Sequence, residues 1–188
     1  MIVSMKILAF SASLRKDSRN TKLVRIAATV ARKAGAEVDS IDLNGFLFPP
    51  YDHDLEISGQ WPDNLEPLRA QLASHEALMI ASPEYNYSMP GHFKNTFDWI
   101  SRLRPVPWKG KIVLLMSASP GLAGGNRGLW ALRVPFEACG AVVHPDMFSL
   151  GLADQAFHES GELKDAKSSE RLGKTVTDFV GFATKLTR

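Results

Sequence analysis

The sequence has one cysteine, a formal net charge of only +2 and no long apolar run. A lone Cys139 excludes an internal disulfide and fits a reducing compartment, so we expect a cytoplasmic protein. No block of Lys and Arg is present, which leaves binding to nucleic acid or to a membrane surface without electrostatic support. Nor does any stretch approach the roughly 18 apolar residues that span a bilayer. We therefore expect small molecules as partners.

Two common nucleotide-binding patterns and the usual metal patterns are also missing. The sequence contains no G-x-x-x-x-G-K-[ST], which argues against a P-loop for nucleoside triphosphates. No G-x-G-x-x-G follows the first apolar run, so a Rossmann dinucleotide site would lack its glycines. The segment 51–56 carries three carboxylates and an imidazole, but it has neither the glycine of a calcium loop nor a second His at i+4. We expect no metal site.

Short apolar runs alternate with segments of helical period along the chain. The spacing predicts five strands and five helices, with the strands at 6–11, 37–43, 77–81, 111–117 and 141–148. Such alternation implies an α/β fold in which helices cover both faces of a parallel sheet, and right-handed crossovers favour strand order 2-1-3-4-5. The N-terminal apolar segment is too short for an export signal and fits the first strand. Because no linker or repeat interrupts the pattern, we predict one domain over residues 1–188.

The loop after the first predicted strand is rich in hydrogen-bond donors and runs directly into a helix. A phosphate monoester is bound by several donors, a cation and the positive end of a helix dipole. The predicted phosphate contacts are Ser11, Ser13, Arg15, Ser18, Arg19 and Asn20. A hydroxyl-rich loop without glycines suits a terminal monophosphate, and FMN carries such a group. The alternative is a serine-rich turn that only caps the helix.

The loop after the third strand combines two prolines with aromatic side chains. The prolines stiffen the segment, and the backbone N–H groups of Glu84, Tyr85 and Asn86 are predicted to be free to donate. A flat heteroaromatic ring with carbonyl and nitrogen acceptors would match such a strip. The predicted ring contacts are Pro83, Glu84, Tyr85, Asn86 and Tyr87. The alternative is a proline-braced loop whose tyrosines simply pack.

The loop after the fourth strand consists mostly of small residues. Glycine there would let a cofactor approach the main chain closely. The predicted contacts are Ser117, Ser119, Gly121 and Gly124. A glycine-rich loop alone is a weak signal, so this prediction depends on the other two loops.

Taken together, the three loops resemble those of the NADPH-dependent FMN reductase family. The family's phosphate pattern G-S-L-R-x-x-S-x-N is matched from Ser13 to Asn20, with Ala12 in place of the first glycine. Its flavin pattern P-E-Y-N-x-S-x-P-G-x-x-K-N-x-x-D-W is matched at every specified position from Pro83 to Trp99. The resemblance implies a flavodoxin-like fold, non-covalent FMN, NADPH or NADH as hydride donor, and a homodimer or homotetramer.

The resemblance makes an oxidoreductase the leading functional hypothesis. FMN would carry the hydride from the nicotinamide to a small acceptor, and flavin, quinone, azo compound and metal oxyanion all remain open. Because the flavin performs this chemistry, we assign no catalytic acid or base, and we expect Glu84 and Tyr85 to act through their backbone. The alternatives are a flavodoxin-type electron carrier and a redox-sensing flavoprotein. Carriers rely on strong acidic fields, which a net charge of +2 does not supply.

Overall fold

The computed structural model describes residues 4–187, so residues 1–3 and 188 of the predicted domain lie outside the described residues. The strands are β1 Lys6–Ser11, β2 Glu37–Ser40, β3 Ala77–Ala81, β4 Ile112–Ala118, β5 Val142–Val143 and β6 Phe148–Leu150. They form a central sheet in the order β2-β1-β3-β4-β5, with β6 also paired to β4. Every pairing is parallel. The predicted strand order and the flavodoxin-like fold class are confirmed.

The predicted fifth strand is divided into two short pieces. Ile112 of β4 pairs with Val142 of β5, and further along the same strand Met116 pairs with Phe148 of β6. Between the pieces lies Pro145, which has no N–H to give to the ladder. The prediction of five strands was therefore wrong by one, although the order across the sheet is unchanged.

Helices cover both faces of the sheet, as predicted. They are α1 Arg19–Lys33, α2 His53–Ile57, α3 Leu65–Ala73, α4 Gly91–Arg102, α5 Asn126–Ala138 and α6 Ala166–Leu186, with a 3-10 turn at Leu43–Phe46. One core cluster contains residues of α1 and α6, such as Leu23 and Phe179. The other contains residues of α3, α4 and α5, such as Leu68, Phe97 and Leu132. None of the described helices is long and apolar enough to cross a bilayer.

The ends of α1 follow from local sequence. Ser18 has extended backbone and its Oγ accepts a hydrogen bond from Thr21 N at 3.2 Å, which satisfies one unpaired donor at the helix start. At the other end Gly35 has φ +93°, a conformation that favours glycine and turns the chain toward β2. The capping role considered for the first loop is therefore present at Ser18.

Candidate functional site

Three loops meet at the carboxyl edge of the sheet, after β1, β3 and β4. They enclose a cavity of about 210 Å³, here called the central cavity. The predicted site residues that line it come from all three loops and are Arg15, Ser18, Arg19, Asn20, Pro83, Glu84, Tyr85 and Ser119. In a parallel α/β sheet this edge is where ligands bind. The three loops, which are far apart in the sequence, thus line one cavity.

A second, more open depression continues from the central cavity and is called the side groove. It measures about 540 Å³ and shares Glu84 and Ser119 with the central cavity. The other predicted residues that line it are Asn86, Tyr87, Gly121 and Gly124. Arg127, which was not among the predicted site residues, also lines the groove. The central cavity and the side groove are therefore neighbours that share part of their walls.

The first two serines of the loop after β1 lie elsewhere. Ser11 and Ser13 line a separate cavity of about 490 Å³, whose wall also includes Ser40 at the end of β2. Arg15 lines both this cavity and the central one. Ser117 is fully buried and lines neither of them. The structure thus brings together most of the predicted contacts but separates these three serines from the central cavity.

The serine hydroxyls of the first loop hold its backbone in place. Ser11 Oγ accepts from Ser13 N at 3.2 Å, and Ser13 Oγ accepts from Arg15 N at 3.4 Å. Because a hydroxyl that accepts still carries its own hydrogen, each of these serines keeps one donor for a further partner. The loop is also tied to its surroundings at Ala12, whose carbonyl oxygen lies 2.8 Å from Nε2 of His92 on α4.

Asn20 and Arg19 are engaged by other parts of the chain. The buried Asn20 amide donates to Ala118 O at 3.0 Å and accepts from Ala118 N at 2.9 Å, which fastens the start of α1 to the end of β4. Arg19 forms an ion pair with Asp154. Arg15 is exposed and forms no ion pair within residues 4–187. Two cations, Arg15 and Arg19, are among the predicted phosphate contacts. Arg15 is the one that has no carboxylate partner in the described residues.

The loop after β3 contains a tight turn that the sequence did not reveal. Tyr85 N donates to Ser88 O at 2.9 Å, and Ser88 N donates to Tyr85 O at 3.0 Å. The prediction that the Tyr85 N–H is free was therefore wrong, because the turn uses it. Within the described part of the chain, the N–H groups of Glu84 and Asn86 donate to no acceptor, as predicted.

The two central residues of this turn have unusual backbone angles. Asn86 has φ +50° and Tyr87 has φ +63°, the pattern of a type I′ turn. A bulky residue such as tyrosine rarely adopts positive φ, and such strain clusters at functional sites. The turn projects the Tyr87 ring into solvent, where the Arg127 guanidinium lies 4.6 Å from the ring centroid.

The glycines of the loop after β4 do not all serve the same purpose. A Cβ on Gly124 would lie 2.8 Å from the backbone of Leu150 and Gly151, so this glycine lets the chain pack on itself. Gly121 faces open space in the side groove. The close approach predicted for a cofactor at Gly124 is thus made by the protein's own chain.

The donor set fits FMN. Arg15 and Ser18 offer a cation and a hydroxyl to the central cavity, and the loop after β3, which also lines it, has free N–H groups at Glu84 and Asn86 that suit a ring. The Ser117 hydroxyl, the only buried side-chain oxygen without a hydrogen-bond partner among the residues described, lies outside the central cavity and does not belong to this set. An anionic group joined to a flat polar ring matches this arrangement.

Three acidic side chains of the described residues have shifted pKa values with clear physical causes. A hydrogen bond from Lys22 lowers the pKa of the Asp17 carboxyl in the first loop. Burial raises the pKa of the Cys139 thiol, which keeps it in the unreactive neutral form. In the acidic segment, a hydrogen bond from the Tyr51 hydroxyl lowers the pKa of Glu56. No cluster of three or more potential metal ligands occurs within residues 4–187.

The second half of the long motif has a structural role. Asn95 accepts from Tyr51 N at 2.7 Å and donates to Pro49 O at 2.9 Å. Trp99, fully buried, also donates to Pro49 O at 2.9 Å. These contacts fasten the long loop before α2 to α4. The motif therefore contains residues that line the central cavity and residues that hold the loop before α2 against α4.

Comparison with known proteins agrees with this geometry. The family model described as NADPH-dependent FMN reductase matches residues 5–155. A quinone reductase of Escherichia coli K12 is 31% identical over 188 residues, which cover 99% of each chain. An NAD(P)H-dependent FMN reductase of Pseudomonas aeruginosa is 34% identical over 168 residues, which cover 88% of each chain.

Solved structures show the same likeness. The flavoenzyme NAD(P)H:(acceptor) oxidoreductase FerB of Paracoccus denitrificans superposes with a TM-score of 0.78 at 27% identity, covering 96% of this chain and 98% of that one. A Bacillus cereus flavodoxin, at 14% identity and a TM-score of 0.62 with 95% and 98% coverage, shares the fold alone. On the family match and on relatives that align over nearly the whole chain, this protein belongs to the NADPH-dependent FMN reductase family.

Proposed function

We propose that this NAD(P)H-dependent, FMN-containing oxidoreductase uses a quinone as its electron acceptor. Curated relatives that align over at least 97% of this chain are named as quinone reductases, both in Escherichia coli and in Arabidopsis thaliana. The side groove supports the proposal, because it shares Glu84 and Ser119 with the central cavity and is the more open of the two. Free flavin, azo compounds and metal oxyanions are the competing acceptors.

The phosphate of FMN is assigned to the end of the central cavity formed by the first loop. Arg15 supplies a guanidinium that has no carboxylate partner in residues 4–187, and Ser18 supplies a hydroxyl at the positive end of α1. Asn20 holds this end against β4 through its two bonds to Ala118. Asn20 would then hold the start of α1, where the phosphate is assigned, at a fixed distance from the loop after β4.

The ring of FMN is assigned to the loop after β3. The N–H groups of Glu84 and Asn86 are free to donate to ring oxygens or nitrogens, and Tyr85 lines the central cavity beside them. FMN supplies the hydride chemistry when it is bound, so the chain has only to hold the ring and leave one face accessible. We assign no side chain a proton-transfer role.

The observation that carries the proposal is the convergence of the three loops on one cavity with an adjoining groove. A flavodoxin-type carrier would need the cavity but not a groove for a second substrate. The low net charge of +2 also disfavours a carrier that finds its partner through an acidic field. A reductase that binds both nicotinamide and acceptor accounts for both features.

The test combines identification of the flavin with transient kinetics. The purified protein should release FMN rather than FAD on denaturation, as measured by chromatography. Anaerobic mixing with NADPH or NADH should bleach the bound flavin, and a benzoquinone should then reoxidise it faster than free flavin, an azo dye or chromate does. Bound FAD or a flavin that neither nicotinamide bleaches would refute the enzyme. A faster competing acceptor would refute the quinone.

We further propose that residues 1–188 act as one domain in a cytoplasmic homodimer or homotetramer. Trp130 and Val134 support an interface between copies, because both are more than half exposed and lie one turn apart on α5. Light scattering coupled to size-exclusion chromatography measures the oligomeric state, and a monomer at micromolar concentration would contradict this part of the proposal.

A further inference from the structure

The start of α5 has no capping side chain of its own. Its N-cap residue is Gly125, with φ +81°, and no acidic residue lies in its first turn. The N–H of Gly128 donates instead to Oε2 of Glu84 at 2.8 Å, across 44 positions of sequence. A carboxylate in this position satisfies one of the unpaired donors of the helix start and faces the positive end of its dipole.

Glycine allows this helix to lie directly on the loop after β3. A Cβ on Gly128 would lie 3.1 Å from Ser88 O and 3.2 Å from Cα of Glu84, both closer than ordinary packing. A Cβ on Gly125 would collide with Oγ of Ser117. The start of α5 can therefore approach the loop this closely only because Gly125 and Gly128 have no side chains.

A second contact joins the same two elements. The Arg127 guanidinium lies 4.6 Å from the centroid of the Tyr87 ring. Arg127 precedes Gly128 in the first turn of α5, and Tyr87 lies in the strained turn that follows Glu84. The two contacts, Glu84 to Gly128 and Tyr87 to Arg127, are together called the loop–helix clamp.

The clamp borders both parts of the site. Glu84 lines the central cavity and the side groove, and Arg127 and Tyr87 line the groove. The clamp thus joins the loop after β3 to the start of α5 at the wall of the groove. Oε2 of Glu84 accepts from the backbone of α5, which gives this carboxylate a structural contact at the border of the groove.

We propose that Glu84 is a positioning residue, whose carboxylate caps α5 and so sets the width of the groove through which nicotinamide and quinone reach the flavin. This inference rests on the proposed function, since it assumes that the groove admits these substrates. It predicts that Glu84 is needed for its acceptor oxygen and not for its charge or its proton.

The experiment compares Glu84→Ala and Glu84→Gln in the FMN-loaded enzyme. Glu84→Ala should raise the KM for a benzoquinone by about tenfold, the effect expected when Gly128 N loses its acceptor, and at least about fivefold more than it lowers kcat. Glu84→Gln should restore KM to within about twofold, because its amide oxygen can still accept from Gly128 N. Hydrogen exchange of the Gly128 amide should be about tenfold faster in Glu84→Ala than in Glu84→Gln.

A matched pair of glycine substitutions tests the clamp without touching Glu84. Gly128→Ala should raise KM for the same quinone, since its Cβ pushes the helix from the loop. Gly181→Ala, in α6, has nothing within 4 Å of the added Cβ and should behave as the parent enzyme. If Glu84→Ala does not fold, this pair of variants still tests whether the contact between the loop and α5 affects KM.

Different results would refute the positioning role of Glu84 and the proposed function. If Glu84→Gln is as impaired as Glu84→Ala, the charge or the proton of Glu84 matters and the positioning role is wrong. Unchanged KM and unchanged Gly128 exchange in Glu84→Ala, or equal KM in the two glycine variants, would also refute it. Failure of the parent protein to be reduced by NADPH or NADH would refute the function, whereas Gly128 exchange in the FMN-free protein would still test the contact.

Discussion

The two edges of the same sheet differ in how completely their polar groups are paired within the chain. At the amino edge, before the strands begin, they are paired within the chain. His75, almost fully buried, has Nδ1 2.7 Å from Gln71 O and Nε2 3.1 Å from a carboxylate oxygen of Asp39. The Lys111 ammonium donates to the carbonyl of His75, and burial lowers the pKa of this lysine.

At the carboxyl edge several strong groups are left without a partner in the described residues. Arg15 forms no ion pair, the buried hydroxyl of Ser117 forms no hydrogen bond, and the N–H of Asn86 has no acceptor. Asn86 and Tyr87 also hold strained backbone angles. Unpaired donors and strain reduce the free energy of unfolding, so their concentration at one edge marks the part of the protein that is shaped for a ligand.

The largest effect is expected from replacing Asn86 with proline at the carboxyl edge. Proline requires φ near −65°, whereas Asn86 has φ +50°, so the turn cannot form and one free donor is also lost. We expect the Kd for FMN, measured by flavin fluorescence, to rise by at least about a hundredfold, or about 2.7 kcal/mol. Asn86→Gly, which tolerates positive φ, is the control and should bind FMN nearly as the parent does. Tight binding by the proline variant would show that the turn does not contact the ring.

The next largest effect is expected at Arg15. Removal of this guanidinium by Arg15→Ala should weaken FMN binding about ten- to a hundredfold, because one charge-assisted hydrogen bond contributes roughly 1.5–3 kcal/mol. The fold should survive, since the side chain is exposed. Lys33→Ala, at the far end of α1, is the matched loss of a cation and should leave the affinity unchanged. Equal affinities for the two variants would mean that the first loop only caps the helix.

A substitution at the amino edge should lower the stability of the protein without changing its affinity for FMN. His75→Ala removes a buried imidazole and leaves the backbone carbonyl of Gln71 without this partner, so the free energy of unfolding should fall by about 1–3 kcal/mol. The affinity of the folded protein for FMN should not change, because the side chain lies far from the carboxyl edge. Urea denaturation and fluorescence titration measure the two quantities. A variant that lost FMN affinity but not stability would remove the contrast between the edges.

The smallest effect is expected from Tyr85→Phe. Its backbone takes part in the turn and its side chain lines the central cavity, but we assign no proton transfer to its hydroxyl. Anaerobic stopped-flow bleaching of bound FMN should therefore remain within about tenfold of the parent rate, whereas a positioned acid or base contributes about 10²–10⁴. A loss of about a thousandfold with FMN fully bound would assign the chemistry to this side chain.

Much of the fold could be predicted from the sequence because strands and helices leave local periods. The order of the sheet followed from the alternation of those periods and from the handedness of crossovers. The division of the last strand did not follow, because Pro145 interrupts a run that otherwise reads as continuous. A proline within a predicted strand is the signal that could have found it.

The candidate site was predictable as a set of loops, but the use of each donor within it was not. Tyr85 N is taken by Ser88, and the Asn20 amide by Ala118, 98 positions away. Arg127 lies in the side groove although it belongs to a helix turn that carries no motif of its own. These assignments depend on which segments are neighbours in space.

By itself, the sequence determined the α/β architecture and the family, because strand periods are local and the motif from Pro83 to Trp99 is long and irregular. Only the tertiary structure decided which polar groups are free at the carboxyl edge. The Glu84 carboxylate shows the reason: its partner, Gly128 N, is brought to 2.8 Å only when α5 is seated on the loop after β3. A hydrogen bond requires a distance and an angle, and neither exists until the chain has folded.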